Sequence, residues 1–441
     1  MDEPVEGQQS GLNIYTQIAV CFAVNDDSVY PKITRTLEDG LKRLAENFPW
    51  IAGQVVNEGA SEGNTGVFKI RPLKETPPLV IKDLRSDSSA PTMQGLKEAN
   101  FPFRMLDESV VAPRPTLPID PALASEPEPV FITQATFIRG GLILTFLGQH
   151  QTLDGIGQTQ IIHLLSKACR NEPFTAEEIT TGNMPKHNII PLLDHDIPDS
   201  DVAAFRKSDP TGATHVEPPK CRWAYFNFPP SSLSSLKSLA MKSIQSGFVS
   251  TDDAVTAFIW QSVSRIRASR VSHEEEVKFA RAIDIRKFLN VPQTFPGLCQ
   301  SMTYNSFNLK KLIDAPLGEV ASAFRSSADP QMVVDKFRAF ATVLDRAADK
   351  SVFSFTGSSE PYKDIFFSSW VKMDLYKNDF GLGLGKPECV KRPQFTPVES
   401  LMYLMPKTPG GDVALAICVR DEDMEKLRAD DIFTKYATYI P

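Results

Sequence analysis

Apolar residues along this chain switch between a period of two and a period near 3.6, and the switches mark out strands and helices. Leu12 to Val24 alternates and carries β-branched and aromatic residues, which predicts a strand. Tyr30-Pro31 opens a helix in which Ile33, Leu37, Leu41, Leu44 and Phe48 form a single apolar stripe. Pro49 ends it, and Phe48 to Val55 turns the chain into another strand. Pro77–Leu84 and Pro129–Arg139 predict two more. Gly140-Gly141 is a hairpin signal, so Val130–Arg139 and Leu142–Gln149 are expected to run antiparallel. Beyond it, Ile161, Ile162, Leu164, Leu165 and Ala168 predict a helix over Gln158–Arg170.

From about Ile190 to Lys220 the periodicity fails in a stretch rich in Pro, Asp and Ser, which reads as a long crossover between two halves. The expected division is a first domain over 1–195, a linker over 196–219 and a second domain over 220–441. The second half opens with a strand at Trp223–Phe228 and a helix over Pro230–Ser246. Ser250-Thr251-Asp252-Asp253 then starts another helix, with a hydroxyl at the cap and acids in the first turn. Strands recur at Val277–Ile285, Ser301–Leu309, Ile365–Val371, Ser400–Met405 and Val413–Val419. Helices lie between them at Gly318–Ser327, Met332–Leu344 and Asp421–Arg428. Strands and helices alternate in both halves with hairpins present, so the expected class is α/β, with mixed sheets covered by helices.

Composition narrows the function classes. Hydrophobic residues at 42% and charged residues at 23% fit an ordinary globular protein, and a net charge of -7 gives no footprint for nucleic acid. No apolar run is long enough to span a bilayer, and the polar, acidic start is unlike a secretory signal, so a cytoplasmic protein without a membrane partner is expected. Cys21, Cys169, Cys221, Cys299, Cys389 and Cys418 are widely spaced and form no CxxC pair. Reduced thiols and no metal site are expected.

The chemistry concentrates in Gly140–Gly157, where a buried strand ends on His150, followed by Asp154 and Gly155. A strand end holds an imidazole rigidly, and Gly155 leaves room beside it. Two readings stand side by side: His150 is a general base, or it merely caps the strand while Asp154 caps the next helix. A bare HxxxD is a weak signal, and the chain contains a second, His195 with Asp199, in the crossover around Pro198. Gly155-Ile156-Gly157 fails as a dinucleotide fingerprint because Gln160 stands at the third glycine and the preceding strand belongs to a hairpin. Pro387 disqualifies the glycines after Asp379 as a phosphate loop. No GxSxG elbow and no HExxH occur, which disfavours an acyl-serine or a metal hydrolase.

HQTLDGIG from His150 and DFGLG from Asp379, with FPWIAGQV after the first helix, resemble the BAHD acyltransferase superfamily and its HxxxDG and DFGWG signatures. IYTQIAV, SEGNTG, DLRSDSSAPT, GGLILT, LLSKACRNE, VSTDDA, GLGLGKPE, ESLMYLMPK and RDEDMEKL, in that order, look like the fungal trichothecene 3-O-acetyltransferases. Leu382 stands where the superfamily usually has tryptophan. The resemblance implies two chloramphenicol-acetyltransferase-like domains with a channel between them and His150 mid-channel. It implies a monomer that transfers acetyl from acetyl-CoA to a small-molecule alcohol, the 3-hydroxyl of a trichothecene-type sesquiterpenoid. His150 would be the base, and Asp154 would point away from the channel to an arginine, for which Arg286 is the candidate. Gly155, Asp379, Gly381 and Gly383 would be structural. Ser250, Thr251, Asp252, Asp253, Ser368, Ser369 and Trp370 would contact CoA. The alternatives are the same fold acting on another natural-product alcohol or amine, or a non-catalytic paralogue that binds a small molecule.

Overall fold

The computed structural model describes residues 5–118, 127–187, 189–207, 219–244 and 247–441. The first half contributes β1 (Tyr15–Ala23), β2 (Gly53–Glu58), β3 (Val67–Pro72), β4 (Leu79–Asp83), β5 (Glu128–Pro129), β6 (Phe131–Ile138) and β7 (Gly141–Gln149). The second contributes β8 (Cys221–Phe228), β9 (Glu276–Asp284), β10 (Gln300–Asn308), β11 (Ile365–Ser369), β12 (Cys389–Lys391), β13 (Leu401–Leu404), β14 (Val413–Arg420) and β15 (Thr438–Ile440). They form a five-stranded sheet in the order β12-β1-β7-β6-β4, a seven-stranded sheet β10-β9-β11-β13-β14-β8-β15, and a small sheet β3-β2-β5. Both large sheets mix parallel and antiparallel pairs, as the alternation of elements predicts.

β6 and β7 are buried at every position, because helices cover both faces of the five-stranded sheet. Tyr30–Asn47 and Gly155–Cys169 pack on one face, around Ile18, Val20, Phe22, Leu144 and Phe146. Met93–Glu98 and Glu108–Val111 close the other, around Ala19, Ile138 and Ile143. The seven-stranded sheet carries helix Thr251–Arg267, which is buried nearly all round and packs its apolar residues among Leu236, Phe279 and Ile417.

Three features depart from expectation. The helix after His150 begins at Gly155, not Gln158, so Gly155 and Gly157 lie inside its first turn. The crossover is not wholly solvated: Val202 and Phe205 are buried, and Phe205 stacks on Phe340 of helix Pro330–Arg346 with centroids 4.1 Å apart. Residues 208–218 of the expected linker lie outside the described residues, as does Ser246, the expected end of the helix observed at Pro230–Met241. Most consequential is β12, a second-half strand that joins the first-half sheet beside β1, with Ala19 opposite Lys391 and Cys21 opposite Cys389.

Phe380, nine residues before β12, is wedged against that sheet. Its ring is 1% exposed and lies 6.1 Å from Phe22 on β1 and 5.7 Å from Phe146 on β7. Phe380→Ala is expected to lower unfolding free energy by about 3–5 kcal/mol, the usual cost of emptying an aromatic core site. Urea unfolding checks this, and an unchanged midpoint would show that the sheet closes without the wedge.

Candidate active site

β7 ends at Gln149, and the chain leaves the sheet through a turn in which Thr152 and Leu153 both donate backbone bonds to the Gln149 carbonyl. His150 anchors to the neighbouring chain by donating its backbone N–H to Ile14 O at 2.8 Å. Its ring is half-buried. Nδ1 sits 2.9 Å from the carbonyl oxygen of Leu153. A carbonyl only accepts, so Nδ1 carries the hydrogen and the neutral ring keeps its lone pair on Nε2. Burial pushes the imidazole pKa below its usual value; the Leu153 bond and the Asp154 charge oppose this without reversing it, and the charge of Arg392 adds to the depression.

Asp154 caps the helix that follows, with Oδ1 accepting from Gly157 N at 2.7 Å. The same carboxylate takes both terminal nitrogens of Arg286 at 2.9 Å and the backbone N–H of Cys299 at 2.7 Å. Arg286 is fully buried and also donates to Asp284 Oδ1 (2.9 Å), Phe295 O (3.0 Å) and Gly297 O (2.6 Å). Every donor of the fork is thereby used. The ion pair raises the arginine's pKa despite burial, which opposes the charge. Close backbone approach explains Gly157, where a Cβ would meet the Pro296 carbonyl; a Cβ on Gly155 would press on the methyl end of the Met373 side chain. The space beside Gly155 is therefore filled by a protein side chain.

A cavity of about 530 Å³ opens beyond that point, walled by Gly155, Thr159, His163, Arg281, Ser368 and Trp370 among others. Asp154 belongs to its wall, and His150 does not. The mid-channel placement expected for His150 is thus not displayed by this wall, where Met373 and the Trp370 indole lie close to Gly155.

The residues expected at the CoA site divide into two groups. Asp252, Ser368, Ser369 and Trp370 line the cavity, and Thr251 lines a smaller neighbour of about 190 Å³ that shares Asp252 and Val371 with it. Ser250 and Asp253 instead form a reciprocal cap at the start of helix Thr251–Arg267, each backbone N–H meeting the other's side chain at 3.0 Å. Burial disfavours the Asp253 charge, but Arg281 and the cap outweigh it and leave the pKa lowered. Arg281 binds Asp253 Oδ1 at 2.9 Å and pairs with Asp252, which also accepts from Ser369 Oγ at 2.7 Å.

Asp379 is remote from the cavity. Its side chain accepts from Gly381 N at 2.9 Å, and its carbonyl accepts from Ser166 Oγ and Arg170 near the end of helix Gly155–Cys169. Gly381 and Gly383 hold φ of +67° and +78°, which glycine alone adopts without strain. Leu382 is buried in the core. His195 and Asp199 do not meet: His195 lies beside Asp194, and Asp199 pairs with Arg206 at 2.7 Å.

Sequence reasoning missed Arg281, His163 and Arg392. The first two were within reach, since Gly155, Thr159 and His163 share one helix face at four-residue spacing and Asp252-Asp253 call for a cation. His163 Nδ1 lies 2.7 Å from Asn378 Oδ1.

Asp154→Asn removes the charge that Arg286 needs while preserving shape. Stability is expected to fall by about 3–5 kcal/mol in urea unfolding. Unchanged stability would mean that Asp284 and the carbonyls alone satisfy the guanidinium.

Residues 14–169 match the trichothecene 3-O-acetyltransferase-like N-terminal domain, and residues 114–433 match the transferase family. The O-acetyltransferase dmxR13 of Cryptosporiopsis sp. (strain 8999) is 51% identical, across 98% of this chain and 96% of its own. The trichothecene 3-O-acetyltransferase TRI101 of Fusarium sporotrichioides is 50% identical over the same shares. The crystal structure of F. graminearum TRI101 with coenzyme A and T-2 mycotoxin is similar throughout, with a TM-score of 0.96 and 46% identity over 100% of this chain and 99% of that one. On the family match and these identities, the chain is an enzyme that belongs to the transferase family, the BAHD acyltransferases whose two signatures it resembles.

Proposed function

We propose that this enzyme is an acetyl-CoA-dependent O-acetyltransferase acting on the 3-hydroxyl of a trichothecene-type sesquiterpenoid, with His150 as general base. The observation that carries the reading is the 2.9 Å contact of His150 Nδ1 with Leu153 O, which requires a hydrogen on Nδ1 and so leaves Nε2 of the neutral ring as a proton acceptor. The depressed pKa supports it, since the ring stays in its basic form at neutral pH. Relatives named for this reaction cover nearly the whole chain.

In this reading Nε2 takes the hydroxyl proton as the alcohol oxygen attacks the thioester carbonyl. The carbon–sulfur bond then breaks, and the imidazolium returns the proton to the CoA thiolate, so transfer is direct. A positioned base of this kind contributes about 10²–10⁴-fold, and fixing both substrates beside it supplies more. The cavity suits CoA as the donor substrate. Lys287 and Lys372 bring positive charge to its wall, Ser368 and Ser369 bring hydroxyls, and the Asp252 charge is already engaged by Arg281. The enzyme works as a monomer whose halves, 1–195 and 220–441, each contribute to the site. A second acceptor class is favoured by one observation: the relative at 51% identity is named an O-acetyltransferase without mention of trichothecenes.

Three measurements test the proposal. His150→Ala should cut acetyl transfer by about 10²–10⁴-fold with the circular dichroism spectrum unchanged, and retained turnover rules out the base. The acceptor is read by incubating wild type with acetyl-CoA and either a trichothecene bearing a free 3-hydroxyl or unrelated alcohols and amines. A mass gain of one acetyl group on the trichothecene is expected; gain on other acceptors alone selects the second class, and no CoA release with any acceptor selects a binding protein. The sign of the pH dependence follows from the lowered pKa. The base form is complete at lower pH than for a free imidazole, so kcat/KM should rise with pH and level off with an inflection below pH 6.5. An inflection above that value would contradict a desolvated base.

A further inference from the structure

Arg392 is a buried cation that no carboxylate of the described residues pairs with. It follows β12 directly and is 2% exposed. Its backbone is fixed by the Tyr225 hydroxyl, which donates to Arg392 O at 3.0 Å and accepts from Arg392 N at 3.3 Å. The guanidinium lies among three rings, 4.5 Å from the Phe395 centroid, 4.7 Å from Tyr403 and 5.5 Å from Trp370. Nε is sealed from solvent and has no hydrogen-bond partner. The nearby acid Glu108 engages Thr116 N at 2.6 Å and Gln17 Nε2 at 2.9 Å instead. The other buried arginines differ: among the described residues Arg267 pairs with Asp423 and Arg286 with Asp154.

Burying an ion without an ionic partner is costly, and contact with aromatic faces returns only part of that cost. Stability alone therefore favours an apolar residue of similar volume here. The position of the charge supplies the reason for it. Trp370, one of the three rings, lines the cavity, and its Nε1 lies 3.6 Å from where a side chain on Gly155 would begin. The charge also reaches His150, whose protonation it opposes. With Nε sealed, the two terminal nitrogens are the donors left for a ligand.

We propose that Arg392 binds the carbonyl oxygen of the thioester and stabilises the negative charge that develops there as the acceptor hydroxyl attacks. The proposal rests on the acetyl-transfer reading above. The attack moves the carbonyl π pair onto oxygen, and collapse restores the double bond and expels the thiolate. The acceptor's proton passes through His150 to sulfur, and the guanidinium keeps all its protons throughout.

Arg392→Met tests it in the full-length enzyme. Loss of an oxyanion donor should lower kcat by about 10²–10³-fold. KM for both substrates should stay within about threefold, as expected for an interaction made only in the transition state. The melting temperature should hold or rise, because an unpaired buried charge has been replaced by apolar volume. A kcat near wild type, or a loss expressed wholly as a higher KM or a lower melting temperature, overturns the proposal. If the Met variant does not fold, Arg392→Lys decides, since charge without the planar fork should still lose about tenfold in kcat; a wild-type rate there also overturns it. Wild type assayed in parallel separates the two readings. Its failure to transfer acetyl sinks the transferase reading and Arg392's role together, whereas active wild type with an equally active Met variant sinks only the role of Arg392.

Discussion

The geometry around His150 depends on one carboxylate. Asp154 caps the helix that follows the histidine turn and binds a fully buried arginine and a backbone N–H from the 284–299 segment of the second half. Such a pair is weak grounds for claiming net stability, since desolvating two charges offsets most of their attraction. Its value here is positional. Arg286 has no donor left with which to take up a second arrangement, so the turn between β7 and the helix has one register against the second half. The imidazole hangs from that turn through Leu153, the residue beside Asp154.

Charge along the site follows two rules. Around the cavity, charges are partnered at contact distance: Arg281 pairs with Asp252 and Asp253, and the hydroxyls of Ser250 and Ser369 donate to those two carboxylates. Against Trp370 the rule is reversed, and Arg392 lies in an aromatic setting with no carboxylate of the described residues at contact distance. A low-dielectric surround strengthens whatever that charge acts upon. The contrast between the two regions is what gives Arg392 its significance.

Much of the architecture was legible in the sequence because long elements carry their own periodicity. Tyr30–Asn47, Thr251–Arg267 and the β6–β7 hairpin fall within a few residues of where the pattern puts them. The misses share a physical origin. β12 is three residues long, too short for any period, and its partner β1 lies hundreds of positions away. The helix after His150 starts early because Gly155 and Gly157 serve close packing against Met373 and Pro296, whereas glycine read locally signals a loop. Val202 and Phe205 look like linker residues until helix Pro330–Arg346 covers them. Arg392 had no local signature at all, since an unpaired buried cation is defined by partners that are absent.

The two signature motifs act on the same helix from opposite ends. Asp154 fixes the start of Gly155–Cys169 through Arg286, and the Asp379 carbonyl takes Ser166 and Arg170 near its end. Phe380 then enters the core between Phe22 and Phe146, and three glycines with positive φ, Gly381, Gly383 and Gly385, turn the chain sharply. That turn lets the chain reach the edge of the first-half sheet within a few residues, where β12 pairs with β1 and ends beside Arg392. A larger residue at Gly381 would press on the Arg170 side chain as well as strain its own backbone. The second signature therefore need not touch a substrate to matter. It sets the path by which a second-half strand enters the first-half sheet and carries a cation up to Trp370, part of the cavity wall.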